Sequence, residues 1–130
     1  MTFDPSKTYL ALHGDGEARP IAVDASFWED VGAGKYPLLD KGWLVGAYPM
    51  DADWSHWEMH PEGEEILTLL SGEMEIVVDE GGQLSTVVMV PGRTFVMPRG
   101  AWHRGIVKKP AVMLGITWGK NTQHKPVDQS

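Results

Sequence analysis

Glycine and proline recur at short intervals through the second half of the sequence and divide it into pieces of strand length. The chain contains 15 Gly and 9 Pro. Candidate strands are segments 54–60, 65–70, 73–79, 84–90, 93–97, 104–107 and 111–118, with turns between them that include Ser71-Gly72 and Lys108-Lys109-Pro110. Short β-rich segments at this spacing are typical of an antiparallel sandwich or barrel rather than of βαβ units.

The N-terminal third is less regular than the rest. Further candidate strands are segments 9–13, 19–23 and 43–48. Ser26, followed three residues later by Glu29, has the form of a capping box, which predicts one short helix from Phe27 to about Val31. The expected organisation is a single domain, 1–130, with the N-terminal strands and helix in about 1–50, a core in about 51–118 and a polar tail in 119–130.

Composition limits the classes of function. A length of 130 residues fits one domain, and the formal charge of −7 disfavours nucleic acid and anionic membrane surfaces as partners. The absence of cysteine excludes thiol catalysis, disulfide scaffolds, iron–sulfur clusters and Cys-ligated zinc. No secretory signal and no apolar run long enough for a membrane span is apparent, so we expect a cytoplasmic location.

The stretch from residue 54 to residue 60 contains an unusual alternation. In a strand, alternate side chains share a face, so His56, Glu58 and His60 point one way while Trp57 and Met59 point the other. Two interpretations are open. Either the apolar pair faces the core and the His/Glu row is solvated, or the row faces the inside of a barrel and the apolar pair packs on a second layer or a partner subunit.

Two other residues belong with this row. Glu65 follows His60 after a short turn that can bring it onto the neighbouring strand, and His103 follows the tight turn that begins at Pro98. A cluster of Glu58, His60, Glu65 and His103 is therefore the alternative to a solvated strand face. Its nitrogen and oxygen donors suit manganese, iron, nickel or zinc.

The two stretches together resemble the two motifs of the cupin superfamily. The first motif has two histidines one residue apart, then a glutamate, then a glycine six residues beyond; its positions fall on Glu58, His60, Glu65 and Gly72. The second motif has glycine, five residues, Pro-x-Gly, two residues and histidine; its positions fall on Gly92, Pro98, Gly100 and His103. The chain therefore resembles a small single-domain cupin of the RmlC-like type.

The resemblance implies an all-β fold, a double-stranded β-helix or jelly-roll barrel, with a divalent metal inside the barrel. His60, Glu65 and His103 fall on positions that are metal ligands in cupins, and Glu58 falls where most members have a histidine. Two carboxylates and two neutral imidazoles neutralise a divalent ion, which weakens it as a Lewis acid. Without metal the two carboxylates repel, so we expect one to have a raised pKa or to share a proton with His60.

Several neighbours are candidates for secondary roles. His56 and Trp54 share the parity of Glu58 and are candidates to line the pocket, although a tryptophan at the start of a strand more often serves in packing. Phe95 is expected in the cavity wall or the core. A tyrosine serves in proton transfer in some cupin lyases and synthases, and the resemblance makes Tyr48 the candidate for that role. His124 lies in the polar tail, for which disorder is favoured over a fold across the barrel mouth.

The resemblance favours a metal-dependent enzyme that acts on a small polar metabolite by oxygenation, isomerisation or elimination. Glu58, released from the metal, is the candidate general base. The alternative is a non-catalytic binding or sensing cupin with a structural metal or none, and a metal-free epimerase-like cupin is a third possibility. The expected partners are a small-molecule ligand and a second copy of the chain in a homodimer.

Overall fold

The structure is a computed structural model that describes residues 1–127. In this range the regular secondary structure consists mainly of strands, with one short α-helix and one 3-10 helix. The elements are β1 (Thr8–His13), β2 (Ala18–Ala22), α1 (Phe27–Gly32), the 3-10 helix (Pro37–Lys41), β3 (Gly42–Met50), β4 (His56–Met59), β5 (Glu65–Glu80), β6 (Gln83–Met89), β7 (Thr94–Met97), β8 (Trp102–Thr117) and β9 (Gln123–Pro126). The predicted all-β class is confirmed.

Two long strands, β5 and β8, organise the sheet. Their outer halves, Glu65 to Leu69 and Ala111 to Thr117, pair with each other, with β7 on one side and β3 on the other, and β1 and β2 continue from β3. Their other halves also pair with each other, with β6 beyond β5 and β4 and β9 beyond β8. One sheet therefore has two arms, which are joined where β5 and β8 both bend.

The bend explains why two predicted turns are absent. Segments 65–70 and 73–79 form one strand, as do segments 104–107 and 111–118, and the register shifts between Leu69 and Met74. Gly72 has a φ of +84°, and a Cβ there would lie 2.3 Å from the carbonyl oxygen of Pro110. The glycine and proline therefore mark bulges at which paired strands turn a corner together, instead of chain reversals.

The core lies between the two arms. Leu67, Leu69 and Met113 from the first arm pack with buried residues of the second, including Met74 and Ile76. Each fully buried side chain of this type contributes about 1.5–3 kcal/mol relative to exposure. The apolar contacts between the two arms therefore hold in place the strands that carry the buried polar residues Glu65 and His103.

A second, aromatic cluster joins the N-terminal segment to the sheet. The predicted helix is present, and Phe27 on it is fully buried, with its ring 5.3 Å from that of Tyr9. The capping box is not formed: the Ser26 hydroxyl bonds to Asp24 and Asp30 side chains instead of a backbone N–H. Burial of Phe27 therefore accounts for the helix better than its cap does. No helix in residues 1–127 has the length and apolar character required to cross a membrane.

The tail is ordered where disorder was favoured. β9 pairs antiparallel with β4, and the Lys125 ammonium lies 4.3 Å from the centre of the Trp102 ring. The favoured expectation was wrong because pairing with β4 and this cation–π contact are long-range interactions, which the polar composition of the segment does not reveal. The last three residues of the predicted tail lie outside the described range.

Candidate metal centre

Three strands, β4, β5 and β8, bring the four residues of the predicted cluster together. Glu58 lies in β4, His60 directly follows β4, Glu65 begins β5 and His103 is the second residue of β8. Glu58 stands directly opposite His103 in the β4–β8 pairing. Each of the four offers a donor atom, and these atoms all lie within 4.8 Å of one another. Of the two interpretations of the His/Glu row, the one in which the row faces the interior of the fold is therefore correct for Glu58 and His60.

The donor atoms point at a common centre. His60 Nε2 lies 3.0 Å from Glu58 Oε1 and 3.4 Å from Glu65 Oε1, and His103 Nε2 lies 3.5 Å and 3.4 Å from the same two atoms. His60 Nε2, His103 Nε2 and Glu65 Oε1 are buried and make no well-aligned hydrogen bond. Buried polar atoms are rarely left this way, and a cation at the centre would satisfy all of them. The residues fit a divalent metal on this ground.

The backbone fixes the tautomer of His103. Its Nδ1 lies 3.1 Å from the carbonyl oxygen of Ala101, which can only accept a hydrogen bond, so Nδ1 carries a proton and donates it. The Nε2 of a neutral His103 is then a lone-pair donor that faces the cluster. Metal-binding histidines are oriented in this way by their second nitrogen.

The outer atoms of the other three cluster residues are held in a similar way. Thr122 Oγ1 donates to the carbonyl oxygen of Gly119 and therefore accepts from His60 Nδ1 at 2.8 Å. The other oxygens of the two carboxylates also have partners: Thr117 donates to Glu65 Oε2 at 2.5 Å, and His124 Nε2 lies 3.1 Å from Glu58 Oε2. All four side chains are thus anchored on the side away from the centre.

The pKa values of the four cluster residues favour charged histidines and charged glutamates in the metal-free protein. Burial disfavours the charged forms of His60 and His103, but the close Glu58 and Glu65 carboxylates outweigh it and raise the pKa of His60 to about 9 and that of His103 to about 10. Burial also opposes ionisation of both glutamates. The facing His103 and His60 imidazoles nevertheless lower the pKa of Glu65, and the imidazoles of His103, His124 and His60 lower that of Glu58 well below its ordinary value.

Of the two expectations for the metal-free cluster, a raised carboxyl pKa is not found, because the pKa values of both glutamates are lowered. Mutual repulsion of Glu58 and Glu65 is outweighed by two imidazoles that take up protons in the metal-free state. This arrangement corresponds to the other expectation, in which protons are shared between the carboxylates and histidine.

Two of the predicted pocket residues differ in their placement. Trp54 lies beside the cluster, with its ring 5.9 Å from that of His103 and over Gly105, where a Cβ would lie 2.6 Å from the indole. His56 is exposed, and its Nδ1 lies 2.9 Å from Ser55 Oγ. The structure therefore places Trp54 against His103, beside the cluster, and leaves His56 outside the cluster.

The other two candidates line the interior. Phe95 is half-buried and packs against the main core. The Tyr48 ring lies over Gly115, where a Cβ would approach it to 2.9 Å. Burial, together with the negative charges of Glu65 and Glu58, raises the pKa of Tyr48, so its hydroxyl stays protonated. A role for Tyr48 in proton transfer remains a prediction.

Sequence reasoning missed Thr122 and left His124 as a tail residue. The only available signal was their spacing, one residue apart, which matches the spacing of Glu58 and His60 in the reverse direction. That match has meaning only once β9 is known to pair with β4.

Fold and site together define a β-sandwich protein with an internal cluster of two histidines and two carboxylates. The chain belongs to the cupin domain family, whose profile matches residues 46–117, more than half of its length. The matched region contains all four cluster residues. It leaves out β1, β2, α1 and β9. A comparison with curated proteins gives no match.

Three solved structures illustrate the proteins that share this fold. A cupin-2 domain protein from Shewanella frigidimarina is 16% identical over 58% of this chain and 69% of that one, with a TM-score of 0.51. A Sphingomonas hydroquinone 1,2-dioxygenase with bound 4-hydroxybenzoate is 18% identical over 64% and 68%, with a TM-score of 0.51. Bacillus subtilis oxalate decarboxylase, which has Mn(II) centres, is 17% identical over 65% of this chain but 24% of that one, with a TM-score of 0.56. At these identities the similarity establishes the jelly-roll fold.

Proposed function

We propose that this protein is a metal-dependent cupin enzyme that acts on a small polar metabolite, with Glu58, His60, Glu65 and His103 as the metal ligands. One observation carries the proposal: four donor atoms converge within 4.8 Å, and three of them are buried without a well-aligned hydrogen bond. Structural ion pairs normally align donor with acceptor, whereas these atoms face a shared point. Manganese, iron, nickel and zinc all accept this donor set.

The similar structures support a class of chemistry. Oxalate decarboxylase and hydroquinone 1,2-dioxygenase are named for small substrates that carry oxygen atoms. We extend that feature to this chain: its substrate would present oxygen to the metal, in a reaction of the oxygenase, lyase or isomerase type. A divalent ion bound here would polarise that oxygen and stabilise negative charge on it.

Glu58 and Tyr48 are the side chains that we assign to proton transfer. Glu58 is the most accessible of the four ligands, with 26% of its side chain exposed against 6% or less for the others. A carboxylate at the accessible side of the cluster can leave its ligand position and accept a proton from a substrate. Tyr48, whose pKa is raised, would serve as a neutral hydrogen-bond donor.

A non-catalytic binding or sensing protein is the second candidate. Three of its four ligands are almost fully buried, and His124 contacts the outer oxygen of the fourth. A metal enclosed in this way would have its charge neutralised by two carboxylates and would serve to hold the fold. The two candidates differ in whether a coordination position is open to solvent.

Water relaxation of the Mn²⁺-loaded protein distinguishes them. We expect bound Mn²⁺ to keep about one or two exchangeable waters, since catalytic metal sites keep open positions. The measurement is the field dependence of the water-proton relaxation rate, with Zn²⁺-loaded protein as the diamagnetic control. A relaxation rate without an inner-sphere contribution would refute the catalytic proposal and favour the structural one.

We also propose a homodimer formed through the β7 edge. Leu70 on β5, Val90 just after β6 and Val96 on β7 are exposed apolar residues. Among the described strands, β7 pairs with β5 alone. An edge strand with apolar side chains favours pairing with a second copy. Sedimentation velocity should show a dimer for the wild type and for Phe3→Asp, a distant exposed control, but a monomer for Val96→Asp. A monomeric wild type would contradict the proposal.

A further inference from the structure

The C-terminal segment, residues 119–127, lies against the strand that carries two of the four ligands. In the β4–β9 pairing, Glu58 stands opposite His124 and Met59 opposite Gln123. One more step in the same register places Thr122 opposite His60. Opposed residues of an antiparallel pair project to the same face, so Thr122 and His124 lie on the face that carries the ligands.

The Thr122 hydroxyl has a fixed direction. The carbonyl oxygen of Gly119 accepts from the Thr122 backbone N–H at 3.1 Å and from its Oγ1 at 2.8 Å. The hydroxyl's one proton is therefore used within the turn, and its oxygen is left to accept from His60 Nδ1 at 2.8 Å. Asn121, with a φ of +60° and a hydrogen bond to Glu62, completes this turn.

His124 acts on the other ligand. Its Nε2 lies 3.1 Å from Glu58 Oε2, the oxygen that does not face the cluster. Glu58 is the most exposed ligand and lacks the burial that restrains Glu65. A partner on its outer oxygen therefore restricts the direction of Oε1, which faces both histidines.

The segment is docked by contacts that do not involve these two side chains. Its backbone pairs with β4 from His56 to Met59, and the Lys125 ammonium packs over the Trp102 ring. Val127 N–H also bonds to the carbonyl oxygen of Ser55. Replacing one side chain should therefore leave the segment in place, so effects on the ligands can be separated from effects on docking.

We infer that Thr122 and His124 are positioning residues, which set the ring orientation of His60 and the carboxylate orientation of Glu58 and thereby the metal affinity. The inference rests on the proposed metal site. Partners of this type typically change metal affinity by about 10–100-fold when removed. It assigns a role to a segment that lies beyond the family match, which ends at residue 117.

The test is Mn²⁺ affinity in the full-length protein, measured from the electron paramagnetic resonance signal of free Mn²⁺. We expect Thr122→Val and His124→Leu each to weaken binding by about 10–100-fold. Thr122→Ser keeps the hydroxyl and should stay within about threefold of the wild type. Lys125→Gln removes the contact with Trp102 and is the matched control for docking; it should also bind as the wild type does.

A second readout separates orientation from general loosening. The fine structure of the bound Mn²⁺ signal should change in Thr122→Val and His124→Leu and be unchanged in Thr122→Ser and Lys125→Gln. Wild-type affinity in both substituted variants would overturn the inference, as would an equal loss in Lys125→Gln. Failure of the wild type to bind Mn²⁺ is a different result: it would refute the proposed metal site itself, and the inference with it.

Discussion

A variant with both His60→Ala and His103→Ala is expected to lose its metal, from about one divalent ion per chain in the wild type to less than about a tenth. The reason is that the two Nε2 atoms supply both nitrogen donors, and each of them contacts both Oε1 atoms. The two carboxylates that remain would have to hold the ion with half of the ligand set. Elemental analysis of purified protein measures the loss.

His56→Ala is the matched control for this experiment. It removes an imidazole from the same strand, two residues before Glu58, but this side chain is exposed and contacts Ser55. We expect it to keep the full metal content. Equal metal content in the double variant and the wild type would place the ion elsewhere, and loss in His56→Ala as well would point to adventitious binding by surface histidines.

The second large effect is on the stability of the metal-free protein as a function of pH. His60 and His103 have folded-state pKa values of about 9 and about 10, above the ordinary 6.5. Their contribution is fully present below pH 6.5 and is lost as the pH rises through 9 to 10. Because both groups are buried, the free energy of unfolding should fall by a few kcal/mol across that range.

The carboxylates act at the other end of the pH scale. Glu58 and Glu65 have pKa values below the ordinary 4.5, so their contribution is present above that value and is lost as the pH falls further. The metal-free protein should therefore be most stable between about pH 4.5 and 6.5. Urea unfolding in the presence of a chelator measures this profile.

Two controls define this prediction. The His60→Ala, His103→Ala variant should lose the decline between pH 6.5 and 10, since it lacks both groups. Saturating Mn²⁺ should reverse the trend, because metal binding displaces protons from the histidines and becomes tighter as the pH rises. A metal-free wild type of equal stability at pH 6.5 and pH 10 would show that the imidazoles carry no ion-pair stabilisation.

The cluster of four residues was predictable because its signal is local. Strand alternation placed Glu58 and His60 on one face, and the spacing to Glu65 and His103 matched the two cupin motifs. The same regularity misled where a glycine could mark either a turn or a bulge. Gly72 lies within a continuous β5 because the close approach of Pro110 occurs only when two strands bend together.

The outer partners of the ligands could not be predicted. Thr122 and Thr117 are 62 and 52 residues from the ligands that they contact. Nothing in the composition of either segment distinguishes a buried hydrogen-bond partner from a solvated hydroxyl. The protonation pattern failed for a related reason: whether two glutamates repel or pair with histidines depends on distances of 3.0–3.5 Å that only the folded chain supplies.

The most direct test of the metal centre is a crystal structure with Zn²⁺, with data collected on both sides of the zinc absorption edge. We expect one anomalous peak inside the fold, about 2.0–2.2 Å from His60 Nε2, His103 Nε2, Glu58 Oε1 and Glu65 Oε1. A peak found only at the surface, with the four side chains still paired to one another at saturating zinc, would contradict the account.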